Sequence, residues 1–194
     1  GENIFTEVIS TEEIKKALLD IAQNFDAKKI TIAITGGEPL LRKDLFEVMK
    51  YANSLGFQWG MVSNGSLVTQ EIVEKAKDAG MITIDISIDG IREVHDEFRN
   101  TKGAYEKAIN AIGLFAKADF LNPLRITTTV HKNNINILDE MYDTFSALGI
   151  SDWRLLNVDP IGRAICNNDI LLNKEQFTKF LQFMKNKRAK KSKV

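Results

Sequence analysis

The sequence contains very little cysteine: Cys166 is the only one among 194 residues. A disulfide framework is therefore excluded, and we expect a reducing, cytoplasmic compartment. Long apolar runs and a signal-peptide pattern are also missing, so no membrane-spanning segment is predicted. Basic and acidic residues both number 26. This balance gives no indication of a nucleic-acid or membrane-surface partner, and neither is predicted.

Charge is nevertheless uneven at the C-terminal end. The last ten residues contain six basic residues and no acidic ones. We therefore predict one domain over residues 1–187 and a basic tail, or the start of a linker, over residues 188–194. A domain of this length, in a chain with 44% hydrophobic residues, is large enough to bury a core.

Strand and helix patterns alternate along the chain. β-branched runs predict five strands, at residues 30–34, 57–63, 82–88, 125–130 and 153–158. Apolar residues at helical spacing predict six helices, at residues 11–25, 43–55, 69–79, 105–115, 135–148 and 173–187. Strict alternation implies a parallel sheet with right-handed crossovers. Because a helix comes first, the predicted fold is an α/β part-barrel of the TIM type, truncated at its first strand.

The first predicted strand ends in Gly36, Gly37, Glu38 and Pro39. Its β-branched run predicts burial on both faces. Paired glycines permit a sharp turn and let a ligand approach main-chain atoms, and Pro39 stiffens the exit. Ligands of parallel α/β folds bind at the carboxyl ends of strands. A carboxylate and free carbonyls at this position suit a cationic group such as an ammonium.

Three further strand ends carry polar or glycine-containing sequences that would meet at the same rim. They are Ser63-Asn64-Gly65, Ser87-Ile88-Asp89-Gly90 and residues 159–164, which include Gly162. The hydroxyl of Ser87 and the carboxylate of Asp89 suit hydrogen bonding to a vicinal diol. By residue type alone, ordinary turns explain these sequences as well.

Taken together and in their order along the chain, the four motifs resemble the core of radical S-adenosylmethionine (SAM) enzymes. The resemblance covers about residues 10–181 and is greatest to the maturase branch with a Cys-rich C-terminal domain of the SPASM or twitch type. That branch includes anaerobic sulfatase maturases and peptide-modifying enzymes. The resemblance implies an oxidoreductase that cleaves SAM reductively to a 5′-deoxyadenosyl radical. The radical would abstract hydrogen from a peptide, protein or small-molecule substrate, with flavodoxin or ferredoxin as electron donor.

The resemblance also implies residues that contact SAM. The segment Gly36-Gly37-Glu38-Pro39 matches the family segment that holds the methionyl amino group. Ser87 and Asp89 match a polar pair that reaches the ribose hydroxyls or the methionyl carboxylate. Ser63 and Asn64 match a segment near SAM, and Gly162 matches one that brackets the adenine.

The run His95-Asp96-Glu97-Phe98-Arg99 matches a His-Asp-x-x-Arg run of the same branch. The resemblance implies a loop that shapes the rim, in which Arg99 pairs with a carboxylate of SAM and His95 is structural. By residue type, His95 and Asp96 could instead perform acid–base chemistry. Asp85 is expected on the same strand face as Ser87, either near substrate or in a polar core. His131 is expected to be a surface or rim histidine.

One part of the family's chemistry has no counterpart in this sequence. Radical SAM enzymes hold a [4Fe–4S] cluster through three cysteines, which Cys166 alone cannot replace. No metal ligand and no catalytic residue is therefore assigned. We expect the full-length protein to be the enzyme and this chain alone to be inactive. The alternatives are a cluster-less binding homologue, or an aldolase-like barrel that binds phosphate, for which only Arg163 is suitably placed.

Overall fold

The computed structural model describes residues 9–159 and 170–189, and its centre is a five-stranded parallel sheet in the order β1-β2-β3-β4-β5. The strands are β1 (Thr31–Ile34), β2 (Gln58–Ser63), β3 (Met81–Ser87), β4 (Leu124–Val130) and β5 (Asp152–Asn157). The α-helices are α1 (Thr11–Asn24), α2 (Leu45–Ser54), α3 (Gln70–Asp78), α4 (Glu93–Phe98), α5 (Ala104–Ala118), α6 (Leu138–Ser146) and α7 (Lys174–Ala189). Short 3₁₀ turns lie at Ala27–Lys29 and Pro39–Leu41. The predicted parallel α/β fold with five strands is confirmed.

The described residues form seven α-helices where the sequence predicted six. The additional helix is α4, which lies in the segment expected to be a loop. Its six residues are too few to form a stable helix in isolation. Tertiary contacts support it instead: His95 is buried, and Phe98 stacks on His131 at 4.1 Å between ring centroids.

Side-chain caps at two helix starts follow the sequence directly. Ser10 and Glu13 form a capping box at α1, as their spacing predicts. At α7, the Gln176 main-chain N–H donates to Asn173 Oδ1 at 2.8 Å, and the Asn173 N–H donates to Gln176 Oε1 at 3.0 Å. In both helices the three-residue spacing of a capping residue and a Glu or Gln, which the sequence itself shows, predicts the cap that the structure has.

The two faces of the sheet differ in polarity. Ile84, Ile86 and Ile126 are wholly buried on the face that the helices cover. Since side chains alternate along a strand, their neighbours point to the opposite side, which we call the inner face. The inner face is formed by Thr83, Asp85, Ser87, Arg125, Thr127, Thr129 and Arg154. The hydrophobic core therefore lies between the sheet and the helices, and polar side chains line the inner face.

Strand β1 is less covered than its sequence indicates. Thr31 and Ala33 are exposed, whereas Ile32 and Ile34 are half-buried. The prediction of burial on both faces is wrong for the described residues, because β1 is an edge strand that pairs with β2 alone. A β-branched run is equally suited to an edge position.

The C-terminal helix α7 extends to Ala189, two residues into the predicted tail. The division of the chain at residue 187 remains a prediction. No helix within the described ranges has the length and apolar character needed to cross a membrane.

Candidate functional site

The carboxyl end of β1 leaves its main chain open. Gly36 has a φ of 136°, a conformation that side chains rarely adopt, and Thr35, Gly36 and Gly37 are all exposed. A Cβ atom added at Gly36 or Gly37 would meet no atom of the described residues within 4 Å. This strand end therefore has room for a ligand against its backbone, as the two glycines predict.

Glu38 connects the ends of β1 and β2. Its Oε1 accepts from the Ser63 hydroxyl at 2.9 Å and from the Leu40 N–H at 3.2 Å, and its Oε2 accepts from the Asn64 N–H at 2.8 Å. The Ser63 hydroxyl in turn accepts from the Gly65 N–H at 3.0 Å, and Ser63 is only 2% exposed. A carboxylate accepts about four hydrogen bonds, so Glu38 retains limited capacity for a ligand.

Ser87 lies at the inner-face end of β3. It is half-buried and stands beside Thr127 in the strand register. Within the described residues its hydroxyl has no hydrogen-bond partner. Ser87 therefore offers both a donor and an acceptor to a ligand at the rim.

Asp89 faces the protein interior and is 1% exposed. Its Oδ2 accepts from Arg99 Nε at 2.6 Å and forms an ion pair with Arg99 Nη2 at 2.6 Å. Its Oδ1 accepts from the Thr129 N–H at 2.8 Å. The carboxylate thus anchors Arg99 and joins β3 to β4. Arg99 remains one-third exposed and keeps N–H groups for other partners.

His95 and Asp96 both bond to the main chain. The Asp89 N–H donates to His95 Nδ1 at 2.9 Å. Burial lowers the pKa of His95, although the nearby Asp89 carboxylate opposes this shift. Asp96 accepts from the Tyr105 and Gly103 N–H groups, which lower the pKa of its carboxyl. This geometry supports structural roles for both residues and gives no support to acid–base chemistry.

The structure reveals a positioning residue that sequence reasoning missed, Asn134. Its Nδ2 donates to the Asp89 and Thr129 carbonyls, each at 2.8 Å, and its Oδ1 accepts from the His131 N–H at 2.8 Å. Asn134 is 0% exposed. The spacing of three residues from His131, directly after a strand, was the available signal for such a side-chain turn.

His131 is also wholly buried, so the prediction of a surface or rim histidine is wrong. The Asn134 turn and the stacked Phe98 ring enclose it. Burial lowers the pKa of His131, while the nearby Asp89 opposes the shift. Its buried Nε2 has no hydrogen-bond partner among the described residues.

Asp85 lies on the inner face between two arginines. Arg154 Nη1 donates to Asp85 Oδ2 at 3.1 Å, and Arg125 Nη1 lies 3.9 Å from Asp85 Oδ1. Burial raises the pKa of Asp85, and the two arginines oppose that shift. A cavity of about 200 Å³ opens beside these three residues.

No metal site is found in the part of the chain that the structure describes. Within residues 9–159 and 170–189, no group of three or more His, Cys, Asp or Glu side chains could hold a metal ion. Gly162, Arg163 and Cys166 lie outside the described residues. The predicted adenine contact at Gly162 therefore has no structural description.

Comparisons with known proteins agree on one family. Residues 3–145 match the model of the Radical SAM superfamily. The chain is 36% identical over 156 residues to the AdoMet-dependent heme synthase of Methanosarcina barkeri (strain Fusaro / DSM 804), covering 80% of the chain and 43% of that protein. It is 27% identical over 165 residues to the PqqA peptide cyclase of Bradyrhizobium diazoefficiens, covering 84% of the chain and 42% of that protein.

The fold comparison points the same way. The solved structure of native anSMEcpe with bound AdoMet and Cp18Cys peptide superposes with a TM-score of 0.77, at 18% identity. The match covers 93% of this chain and 52% of that one, and at this identity it concerns the fold alone. The chain spans less than half the length of the two relatives, at 43% and 42%. Since the family model matches most of the sequence, the chain belongs to the Radical SAM superfamily.

Proposed function

We propose that this chain is the SAM-binding part-barrel of a radical SAM enzyme. The observation that carries the proposal is the meeting of three features at one rim. They are the open main chain at Gly36 and Gly37, the Glu38 carboxylate held by Ser63 at the end of β2, and the Ser87 hydroxyl, which has no hydrogen-bond partner in the described part of the chain. SAM carries an ammonium group, a carboxylate and ribose hydroxyls, and these residues are chemically suited to them.

Each rim residue has a role in this proposal. Strand-end carbonyls at residues 35–37 and the Glu38 carboxylate bind the methionyl ammonium, and Pro39, Ser63 and Asn64 hold Glu38 in place. Ser87 donates to a ribose hydroxyl or to the methionyl carboxylate. Arg99 offers its free N–H groups to that carboxylate.

Two assigned residues stand apart from this direct contact. The Asp89 carboxylate is buried on Arg99 and Thr129, so we assign it to orienting Arg99 rather than to contacting SAM. For Gly162, the proposed contact with the adenine of SAM rests on the resemblance to the family.

The complete enzyme would cleave SAM reductively and abstract hydrogen from a substrate. A peptide substrate is supported by the name of the PqqA peptide cyclase and by the peptide in the anSMEcpe structure. Flavodoxin or ferredoxin as electron donor and a cytoplasmic location belong to the same proposal. The residues present do not fit the [4Fe–4S] cluster, because thiolates must hold it and the chain has one cysteine.

SAM binding to the chain tests the proposal directly. Isothermal titration calorimetry should show one SAM site, and Ser87→Ala should weaken it about two- to tenfold, as expected for one hydrogen bond. Ser54→Ala is the matched control, since Ser54 is exposed on α2 and bonds only to the Tyr51 carbonyl within the described residues. Absence of SAM binding, or equal binding by wild type and Ser87→Ala, would contradict the assigned rim.

A second experiment concerns activity. After anaerobic incubation with iron, sulfide, a reductant and SAM, this chain alone should release no 5′-deoxyadenosine, because it lacks the three thiolates that a cluster needs. Liquid chromatography with mass detection measures the product. Reductant-dependent formation of 5′-deoxyadenosine would show that the assignment of this chain as an inactive part is wrong.

A further inference from the structure

Two guanidinium groups flank one buried carboxylate on the inner face. Arg154 Nη1 lies 3.1 Å from Asp85 Oδ2, and Arg125 Nη1 lies 3.9 Å from Asp85 Oδ1. Asp85 is 6% exposed, and its buried Oδ1 has no hydrogen-bond partner among residues 9–159 and 170–189. The carboxylate is therefore internal, and the arginines are the part of this cluster that solvent or a ligand can reach.

The strand register places this cluster directly below the rim. Ser87 is aligned with Thr127, and Thr127 is aligned with Arg154, so Arg154 lies in the same layer as Ser87. Asp85 is aligned with Arg125, one inner-face layer deeper. A substrate that enters the barrel beyond the SAM site would meet Arg154 first and Arg125 next.

The arginines keep unused hydrogen-bond donors. Their side chains are 47% exposed at Arg154 and 26% exposed at Arg125. In the described residues, Arg154 donates to Asp85 alone, and Arg125 Nε donates to Asp152 Oδ2 at 3.4 Å. Because a guanidinium carries five N–H groups, each arginine retains several. Asp152 is 58% exposed and lies at the start of β5, away from the cavity lining.

We propose that Arg125 and Arg154 form a subsite that binds a carboxylate group of the substrate. The proposal rests on the SAM-binding function above and names a chemical class for the molecule on which the enzyme acts. The cavity of about 200 Å³ is lined by both arginines and has room for one acid group. Arginine forks match planar carboxylates through paired N–H bonds. Asp85 holds the fork of Arg154 in position before the substrate arrives.

The test uses glutarate as a probe and glutaramide as its neutral analogue. Glutarate titrated into the ¹⁵N-labelled chain should shift the Nε–Hε signals of Arg125 and Arg154 saturably, and glutaramide should leave them unchanged. Arg125→Gln and Arg154→Gln should each weaken glutarate binding at least fivefold. Lys16→Gln removes an exposed positive charge on α1 and is the control, which should bind as wild type does.

Arg154→Lys covers the case in which Arg154→Gln fails to fold. The lysine keeps a positive charge beside Asp85 but lacks the fork, so it should fold and still bind glutarate more weakly. Equal response to glutarate and glutaramide, or wild-type affinity in all the arginine variants, would overturn the subsite.

SAM titration of the same samples separates the two proposals. SAM binding without a glutarate response refutes the subsite and leaves the proposed function standing. A glutarate response without SAM binding leaves an anion site but refutes its assignment to a radical SAM substrate.

Discussion

The rim has two halves whose residues differ in burial and in hydrogen-bond partners. Behind the ends of β3 and β4, Asp89, His95 and Asn134 are buried and bond to the protein itself. At the end of β1, Gly36 is exposed, and on the inner face the Ser87 hydroxyl is unpartnered in the described residues. Polar residue type therefore does not distinguish ligand contact from structural support. The hydrogen-bond partners distinguish them.

We expect the closed half of the rim, formed by the buried residues Asp89, His95 and Asn134, to control stability. Asn134→Ala removes three hydrogen bonds and leaves the Asp89 carbonyl, the Thr129 carbonyl and the His131 N–H without their partner. At 1–3 kcal/mol for each buried unsatisfied group, with partial relaxation, we expect a loss of about 3–5 kcal/mol in the free energy of unfolding. Urea denaturation measures it.

The matched control is Asn136→Ala. Asn136 is exposed and accepts only from Lys179 Nζ within the described residues, so its loss should change stability by about 0.5 kcal/mol or less. A similar small effect for Asn134→Ala would show that the closed half is not a structural unit.

The second prediction concerns pH. Burial lowers the pKa of His95 and of His131, so below about 6.5 the unfolded chain binds protons that the folded chain does not. The free energy of unfolding should therefore fall as the pH is lowered from 7.5 to 5.5. The raised pKa of Asp85 acts in the opposite direction and is common to all variants compared.

His95→Asn removes the contribution of His95 to this pH dependence. The Asn Oδ1 can accept from the Asp89 N–H in place of Nδ1, while the titrating group is removed. Urea denaturation at the two pH values should show a smaller loss than in the wild type. An unchanged pH dependence would mean that His95 does not titrate as its burial requires.

The smallest predicted effects are at two glycines and have opposite signs. Gly36→Ala forces a side chain into a φ of 136° and should cost about 1 kcal/mol, although its Cβ meets no atom of the described structure within 4 Å. Gly113→Ala lies within α5, where the added Cβ likewise meets none of the described atoms within 4 Å, and should stabilise the protein by about 0.5–1 kcal/mol. Thermal unfolding compares the two. If both substitutions changed stability in the same direction, backbone strain at Gly36 would not be the cause of the Gly36→Ala effect.

Much of the fold was predictable because its signals are local. Ser10 and Glu13, three residues apart, form the cap of α1. The two glycines after β1 lie in an exposed bend at the end of that strand. Helix α4 was missed because six residues carry too little periodicity, and its supports, such as the ring of His131, come from distant sequence. The exposure of β1 depends on its place at the sheet edge, which a β-branched run does not reveal.

The sequence by itself determined the parallel alternation of strands and helices, the motifs at the strand ends and membership of the family. Only the tertiary structure decided which polar residues remain free for a ligand. Asp89 meets Thr129 across 40 residues of sequence, and Asp85 meets Arg154 across 69. Such long-range hydrogen bonds arise when parallel strands come into register, and no local pattern encodes them.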